Sequence, residues 1–169
     1  MAVKTSVTEA EYLRTSFPGV DQEYRDGELV ERAMPDNSHS EVQGSGCTFF
    51  NNLRKLHSLP FHARPELRHR VRRGRYLIPD LAVYWPTGPS EPVPSAPPLI
   101  VMEILSTDDR MSEVLGKLDE YLDWGVPHVW LVDPRKRQLS VYDRGGLRHV
   151  PEFPVPEAGR PLTIADLFD

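Results

Sequence analysis

The chain has 169 residues, of which 39% are hydrophobic and 27% are charged, and its formal net charge at pH 7 is −5. This length and composition are typical of one globular domain, and they exclude a disordered chain or two full-size domains. The acidic balance disfavours non-specific coating of nucleic acid, and the single cysteine, Cys47, excludes an intrachain disulfide or a thiolate metal cluster.

The start of the chain, MAVKTSVTEAEY, contains no apolar signal core, and no later stretch approaches the ~20 apolar residues of a membrane span. We therefore expect a cytoplasmic protein that does not associate with membranes. Within this start, Thr8 and Glu11 have the spacing of a capping box, which predicts a short helix that ends before Pro18.

The next two elements are predicted from a turn and from a second capping box. Asp26-Gly27 lies between two strand-like runs in QEYRDGELVERAM, a pattern typical of a β-hairpin. Ser38 and Glu41 then predict the start of a helix that runs to about Leu56. Small residues on this helix could let another backbone approach closely. The apolar stripe is Val42, Phe49, Phe50 and Leu53, and the small residues are Gly44, Ser45 and Gly46.

The segment Ala63–Arg75 carries six arginines against one glutamate, Glu66. Composition alone favours a solvated strand or hairpin. If the segment is a strand, however, Arg68, Arg70 and Arg72 share one face by the two-residue period and form a row suited to phosphates. The candidate nucleic-acid-binding residues are Arg68, Arg70, Arg72, Arg73 and Arg75.

Further strands are predicted at Val71–Ile78 and Asp80–Trp85, with Pro79 at a break or an edge. Residues 86–98 contain six prolines and are interpreted as an exposed, partly extended loop. The apolar run LIVMEIL at Leu99–Leu105 then has the character of a strand that is buried on both faces.

A helix capped by Ser106 or Thr107 follows, and Gly125 is expected to end it. Its apolar positions at helical spacing are Met111, Val114, Leu115, Leu118, Tyr121 and Leu122. Strands at His128–Val132 and Leu139–Tyr142 come next, joined by a turn at Asp133-Pro134. The order strand, helix, strand implies a parallel pair with a right-handed crossover, so we expect an α/β fold with a mixed sheet and flanking helices.

Two carboxylates interrupt apolar runs. Glu103 lies in LIVMEIL and Asp80 lies in YLIPDLAVY, where an ionised side chain is costly unless it is paired. Lys117 lies on the next helix, at the edge of its core-facing stripe. Two carboxylates and an ammonium group in one cleft would form a plausible site for a hard cation such as Mg²⁺.

Structural explanations of the same residues remain open. Glu103 could form an ion pair with Lys117 or with an arginine, Asp80 could cap the turn after Pro79, and Lys117 could pair with Glu113 on its own helix. Motifs of other enzyme classes are missing from the sequence: GxxxxGK[ST], HExxH, GxGxxG after a strand, and GxSxG.

The order of Pro79-Asp80 and then Glu103-Ile104-Leu105 resembles the PD-(D/E)XK nucleases. More specifically, EYRDGEL, SHSEV, IPDLAVY, VMEILS, GKLDEYLDWGV and HVWLVDP, in this order from about Glu23 to Tyr142, are similar to the Uma-two family of bacterial endonucleases. The resemblance implies a restriction-endonuclease-like fold, with a mixed β-sheet flanked by helices, in a single domain over residues 1–169.

The resemblance also implies roles for individual residues. Asp80 and Glu103 correspond to the metal-binding acids, with the backbone carbonyl of Ile104 as a further ligand. Leu105 stands where the superfamily has its lysine, so the catalytic positive charge is assigned to Lys117 instead. The implied metal is Mg²⁺, with Mn²⁺ as a substitute, and the implied supporting residues are Glu23, His39 and Tyr121.

The leading functional hypothesis is a magnesium-dependent endonuclease that hydrolyses phosphodiester bonds in DNA. A second hypothesis is a catalytically inactive nucleic-acid-binding module of the same fold. A third is an oligomeric assembly module, in which tryptophans and the small-residue helix face lie in a subunit contact, although tryptophan is more often part of a core. A homodimer would suit an enzyme that cuts both strands of a duplex. The three tryptophans are Trp85, Trp124 and Trp130.

Overall fold

A computed structural model describes residues 6–169 of the chain. Residues 1–5, part of the segment from which no signal core was predicted, lie outside the described residues. The helices are α1 (Glu9–Arg14), α2 (Asn37–His57), α3 (Met111–Trp124) and α4 (Ile164–Phe168), with a short 3₁₀ helix at Pro156–Ala158. Across the described range, none of the helices combines the length and the apolar character needed to cross a membrane.

The strands form a six-stranded sheet, a four-stranded sheet and a two-stranded ribbon. The six-stranded sheet has the order β10-β9-β8-β7-β6-β3 and the four-stranded sheet the order β2-β1-β5-β4. The strand bounds are β1 (Glu23–Arg25), β2 (Glu28–Val30), β3 (His62–Pro65), β4 (His69–Arg72), β5 (Arg75–Leu77), β6 (Leu81–Tyr84), β7 (Ile100–Ile104), β8 (His128–Asp133), β9 (Gln138–Asp143), β10 (Gly146–Val150), β11 (Glu152–Phe153) and β12 (Leu162–Thr163).

The large sheet is built around the predicted strand, helix, strand unit. Strands β7 and β8 pair in parallel and are connected by α3. In their register, Glu103 lies opposite Leu131. The neighbouring pairs are antiparallel, and all five residues of β7 are buried, which explains the apolar composition of the run. The prediction of a mixed α/β sheet is confirmed.

The small sheet contains the predicted hairpin, but it also contradicts one predicted strand. Asp26 and Gly27 have φ of 47° and 95°, as a two-residue hairpin turn requires, and β1 and β2 flank them. The single strand predicted at Val71–Ile78 is wrong, because the chain reverses at Gly74, whose φ is 75°. Strands β4 and β5 therefore form a second hairpin, in which β5 also pairs with β1.

Two of the predicted helix starts are displaced. The capping box of α1 is confirmed, because Thr8 and Glu11 exchange hydrogen bonds. Helix α2, however, is capped by Asp36 rather than Ser38, because the Asp36 carboxylate accepts the backbone N–H of His39 at 2.9 Å. Helix α3 begins only at Met111, since the residues after β7 first form a separate turn. It ends at Gly125, as predicted.

The main core lies between α2 and the large sheet. The whole predicted stripe of α2 is buried, and Gly46 admits a close approach of the Met102 and Leu81 side chains rather than of another backbone. Trp130 belongs to this core, whereas Trp85 is 40% exposed. The C-terminal segment, which carries β11, β12 and α4, packs against the same core and was not predicted. Its buried contributions are Phe153, Val155, Leu162 and Leu167.

Candidate active site

A cleft of about 880 Å³ collects most of the predicted site residues. One wall is a face of the β1–β2 hairpin and the other wall is α3. The floor is formed by Asp80, which precedes β6, and by the end of β7, which carries Glu103. A smaller hollow of about 460 Å³ along α2 and the C-terminal segment contains none of them. The predicted metal ligands and Lys117 therefore line one cleft.

Asp80 is held on both of its carboxylate oxygens. Oδ2 accepts the backbone N–H of Ile104 at 2.7 Å and lies 3.2 Å from Nε2 of His39, while Oδ1 lies 3.0 Å from Nη2 of Arg32. Because Asp80 precedes β6 and Ile104 ends β7, the first of these bonds joins two neighbouring strands of the sheet. Asp80 does not serve simply as a turn cap. Instead, it is a buried carboxylate surrounded by donors.

Glu103 and Lys117 form a buried ion pair. The ammonium nitrogen of Lys117 lies 2.9 Å from Oε1 of Glu103 and 2.8 Å from Oε1 of Glu23, and it donates to the carbonyl of Ile78 at 3.2 Å. The hydroxyl of Tyr121 donates to the same Glu103 oxygen at 2.6 Å. Lys117 and Tyr121 are one helical turn apart on α3, so both reach the strand below. Pairing of Lys117 with Glu113 is not observed in the described structure.

The hairpin contributes one face to the cleft. Glu23 lies opposite Val30 and Arg25 opposite Glu28, so alternation directs these residues to the same side. Glu23 also accepts the backbone N–H of Ile78 at 3.0 Å. Sequence reasoning missed Arg32, although its position two residues beyond Val30 was a usable signal. It continues the same alternation past the end of β2.

For both Asp80 and Glu103, burial raises the pKa of the carboxyl group and neighbouring positive charge lowers it. Burial raises the pKa of Glu103 to about 7, although the Lys117 charge opposes the rise. Burial would also raise the pKa of Asp80, but the hydrogen bond and charge of His39, together with Lys117 and Arg32, hold it below its usual range. Burial opposes a charged Lys117, yet the Glu103 and Glu23 carboxylates raise its pKa, so its ammonium is retained at neutral pH.

The donor set fits a hard divalent cation. The described residues contain no cluster of three or more His, Cys, Asp or Glu side chains arranged around an ion, so a metal here would rely on two carboxylates, the Ile104 carbonyl and water. Over residues 6–169, Oε2 of Glu103 has no hydrogen-bond or ion-pair partner, and Oδ1 of Asp80 contacts only Arg32. Oε2 of Glu103 can therefore accept a further ligand, whereas Oδ1 of Asp80 already contacts the Arg32 guanidinium.

The predicted row of arginines is only partly available. Arg75 is 1% exposed and bonded to Glu120 at 2.6 and 2.8 Å, so the prediction that it contacts nucleic acid is wrong. The Arg68 guanidinium covers the Tyr12 ring at 4.4 Å. Arg72 is exposed but bonded twice to Asp26, at 3.0 and 2.9 Å, and Arg70 and Arg73 are exposed.

Comparisons with known proteins give a family model and a similar solved structure, both described as putative nucleases. Residues 9–169 match the family model described as "Uma2: Putative restriction endonuclease". Among solved structures, a "putative nuclease belonging to DUF820" from Anabaena variabilis ATCC 29413 superimposes with a TM-score of 0.79 and 27% sequence identity, over 96% of this chain and 97% of that one. No curated protein matches the chain. The predicted restriction-endonuclease-like fold is confirmed.

Proposed function

Since the chain belongs to the Uma2 family of restriction-endonuclease-like proteins, we propose that it is a divalent-metal-dependent endonuclease that hydrolyses phosphodiester bonds in DNA. The proposal extends the nuclease-like function of the family to a metal, a substrate and a set of residues in one domain. The observation that carries it is the contact of the Lys117 ammonium with Glu103 at 2.9 Å, in the cleft that also contains Asp80.

Asp80, Glu103 and the Ile104 carbonyl would hold Mg²⁺ or Mn²⁺. The bound ion would activate a water molecule and neutralise charge on the phosphate. Oxygen donors in this number suit Mg²⁺, which binds few protein carboxylates and keeps several waters. The Tyr121 hydroxyl orients the Glu103 carboxylate, and the Ile104 N–H and His39 orient that of Asp80.

Lys117 has the properties of an electrostatic donor. Its pKa is raised by Glu103 and Glu23 despite burial, so it remains an ammonium at neutral pH and is unsuited to remove a proton from water. In the proposed reaction the attacking water gives a proton to bulk solvent, its oxygen bonds to phosphorus, and the P–O bond to the leaving oxygen breaks, with that oxygen taking a proton from solvent. Lys117 would stabilise the negative charge that develops on the phosphoryl oxygens. Glu23 holds Lys117 in place.

The first experiment incubates purified protein with supercoiled plasmid and Mg²⁺ or Mn²⁺. We expect nicked and linear products, their loss on addition of EDTA, and a rate at least about 100-fold lower in Asp80→Asn. Asp123→Asn is the matched control, because Asp123 is an exposed acid of α3 that pairs with Arg144 at 2.9 Å, and it should cleave as the wild type does.

Two other outcomes would count against the proposal. Absence of nicking with every metal, together with salt-dependent DNA binding, would favour the inactive nucleic-acid-binding module. Equal cleavage of a matched RNA would contradict the assignment of DNA as substrate.

The same preparations also test the proposed homodimer, because light scattering during size-exclusion chromatography, with and without a DNA duplex, measures the mass of the complex.

A further inference from the structure

Arg32 lies at the boundary between the candidate metal ligands and the open cleft. Its side chain is 10% exposed, and Nη2 lies 3.0 Å from Oδ1 of Asp80. Nη1 has no hydrogen-bond partner within residues 6–169 and lies 3.8 Å from Oε1 of Glu66. One terminal nitrogen of the Arg32 guanidinium thus binds a candidate metal ligand, while the other terminal nitrogen lacks a hydrogen-bond acceptor.

The geometry of Asp80 makes Arg32 a competitor of the metal. Oδ2 already accepts the Ile104 N–H and contacts His39, so Oδ1 is the oxygen left for an ion, and Oδ1 is where Arg32 binds. Two cations on one carboxylate oxygen repel each other strongly in a buried site. Metal binding therefore opposes the Arg32–Asp80 ion pair unless the guanidinium obtains another anionic partner.

A phosphate group would be such a partner. The guanidinium has donors in a planar fork that suits phosphate oxygens, and Nη1 would gain the hydrogen bond that it lacks. Arg32 follows β2 in a segment without regular structure, so its backbone is outside the strand ladder, and its side chain is held by ion pairs to Asp80 and Glu66. It can transfer from Asp80 to a phosphate by a change of side-chain torsions.

We propose that Arg32 is a positioning residue that couples metal binding to nucleic-acid binding. This inference rests on the proposed function. Without a phosphate in the cleft, Arg32 pairs with Asp80 and weakens metal binding. With a phosphate, the guanidinium binds the phosphate oxygens, Asp80 is released to the metal, and each ligand increases the affinity for the other.

The other positive groups of the cleft are poorly suited to this role. Lys117 is committed to Glu23 and Glu103, and Arg75 is committed to Glu120. Arg25 is paired with Glu120 at 3.4 Å and, among the described residues, does not contact Asp80. Acidic residues lining the cleft number eight against four arginines and lysines, so a phosphate backbone is repelled before a metal is bound. This charge excess gives a second reason for the metal and the nucleic acid to bind cooperatively.

The test measures Mn²⁺ binding by calorimetry with and without a short DNA duplex whose phosphorothioate linkages resist hydrolysis. In the wild type we expect the duplex to increase Mn²⁺ affinity about tenfold or more. In Arg32→Gln we expect Mn²⁺ to bind about tenfold more tightly without DNA, and the effect of the duplex to fall below about threefold. Arg32→Lys keeps the charge, so Mn²⁺ binding without DNA should stay weak.

Arg25→Gln is the matched control. Arg25 also lines the cleft, but it is paired with Glu120 at 3.4 Å and, in the described part of the chain, does not contact Asp80. Its loss should change Mn²⁺ affinity less than the loss of Arg32 and should leave the coupling intact. Circular dichroism and thermal unfolding verify that each variant is folded before titration.

The outcomes separate this inference from the proposed function. If wild-type protein nicks plasmid but Arg32→Gln binds Mn²⁺ with wild-type affinity and wild-type coupling, the inference is wrong and the proposed function stands. If Arg32→Gln shows the expected change in Mn²⁺ binding but the wild type cleaves nothing, the proposed function is wrong and the competition for Asp80 stands. If Mn²⁺ binds neither the wild type nor any of the variants, the inference is wrong.

Discussion

Glu103 and Asp80 are both carboxylates in apolar segments, but their surroundings shift their pKa values in opposite directions. Asp80 is surrounded by donors on both oxygens, which hold its pKa below its usual range against burial. Glu103 has the Lys117 and Tyr121 donors on one oxygen, and burial raises its pKa to about 7. Of the two candidate carboxylate ligands, Glu103 is therefore the one at which a proton competes with a metal near neutral pH.

The first prediction is a pH dependence of metal affinity. Below about pH 7 a proton on Glu103 must leave before a cation binds, so Mn²⁺ affinity should fall by up to about tenfold per pH unit and should level off above pH 7. Calorimetric titrations between about pH 5.5 and 8 measure this effect. Glu103→Gln should bind Mn²⁺ far more weakly, and an affinity that stays constant down to pH 5.5 in the wild type would contradict the prediction.

The same shift has a consequence for the metal-free protein. Because the pKa of Glu103 is higher in the folded state than in an unfolded chain, the folded state binds more protons between about pH 4.5 and 7. The contribution of Glu103 to the free energy of unfolding therefore decreases as the pH rises through this window. A divalent ion, which binds the ionised carboxylate, should reverse that decrease.

At the scale of the element, the start of α2 has a direct connection to the site. Asp36 accepts the backbone N–H of His39, and the His39 side chain contacts Asp80 at 3.2 Å. Asp36 also accepts a hydrogen bond from Thr107, in the segment after β7, at 3.3 Å. A capping residue thus fixes the helix turn that carries one of the Asp80 partners.

The second prediction compares the observed cap with the one expected from the sequence. Asp36→Ala should lower the free energy of unfolding by about 1 kcal/mol, because the first turn of α2 loses its acceptor. Ser38→Ala should cost about 0.5 kcal/mol or less, since the Ser38 hydroxyl donates to the exposed Asp36 carboxylate and accepts no backbone N–H of the first helical turn among the described residues. Urea denaturation measures both. A larger loss in Ser38→Ala than in Asp36→Ala would show that Ser38 is the cap.

The elements that could be predicted are those whose signal is local. Strand β7 and helix α3 follow from an apolar run and a 3.6-residue period, and the hairpin at Asp26 follows from its turn residues. The burial of Arg75 could not be obtained in this way, because it depends on which strand pairs with β1. The two-residue alternation could place Arg32 on the same side as Val30, but it could not show that Asp80 lies against it. Partners distant in sequence decide whether an arginine faces solvent or a carboxylate.

At the scale of the molecule, the C-terminal segment completes the core on which α2 rests. Helix α4 packs against α2, and Phe153 stacks on Trp130 with ring centroids 4.3 Å apart and planes 4° from parallel. This segment escaped prediction because its strands have two residues each, too few to produce a periodic pattern. Its contribution to the core lies in the long-range contacts of a few buried side chains.

The third prediction tests that contribution. Phe153→Ala should lower the free energy of unfolding by about 3–5 kcal/mol, because Phe153 is fully buried and its loss leaves a cavity beside Trp130. Phe168→Ala is the matched control, since Phe168 is only partly buried and lies under the Arg137 guanidinium at 5.0 Å, so its loss should cost less than half as much. Equal losses in urea denaturation would mean that the C-terminal segment is a peripheral addition. A much larger loss in Phe153→Ala would mean that it supports the core beneath α2, and thereby the helix that carries His39 to Asp80.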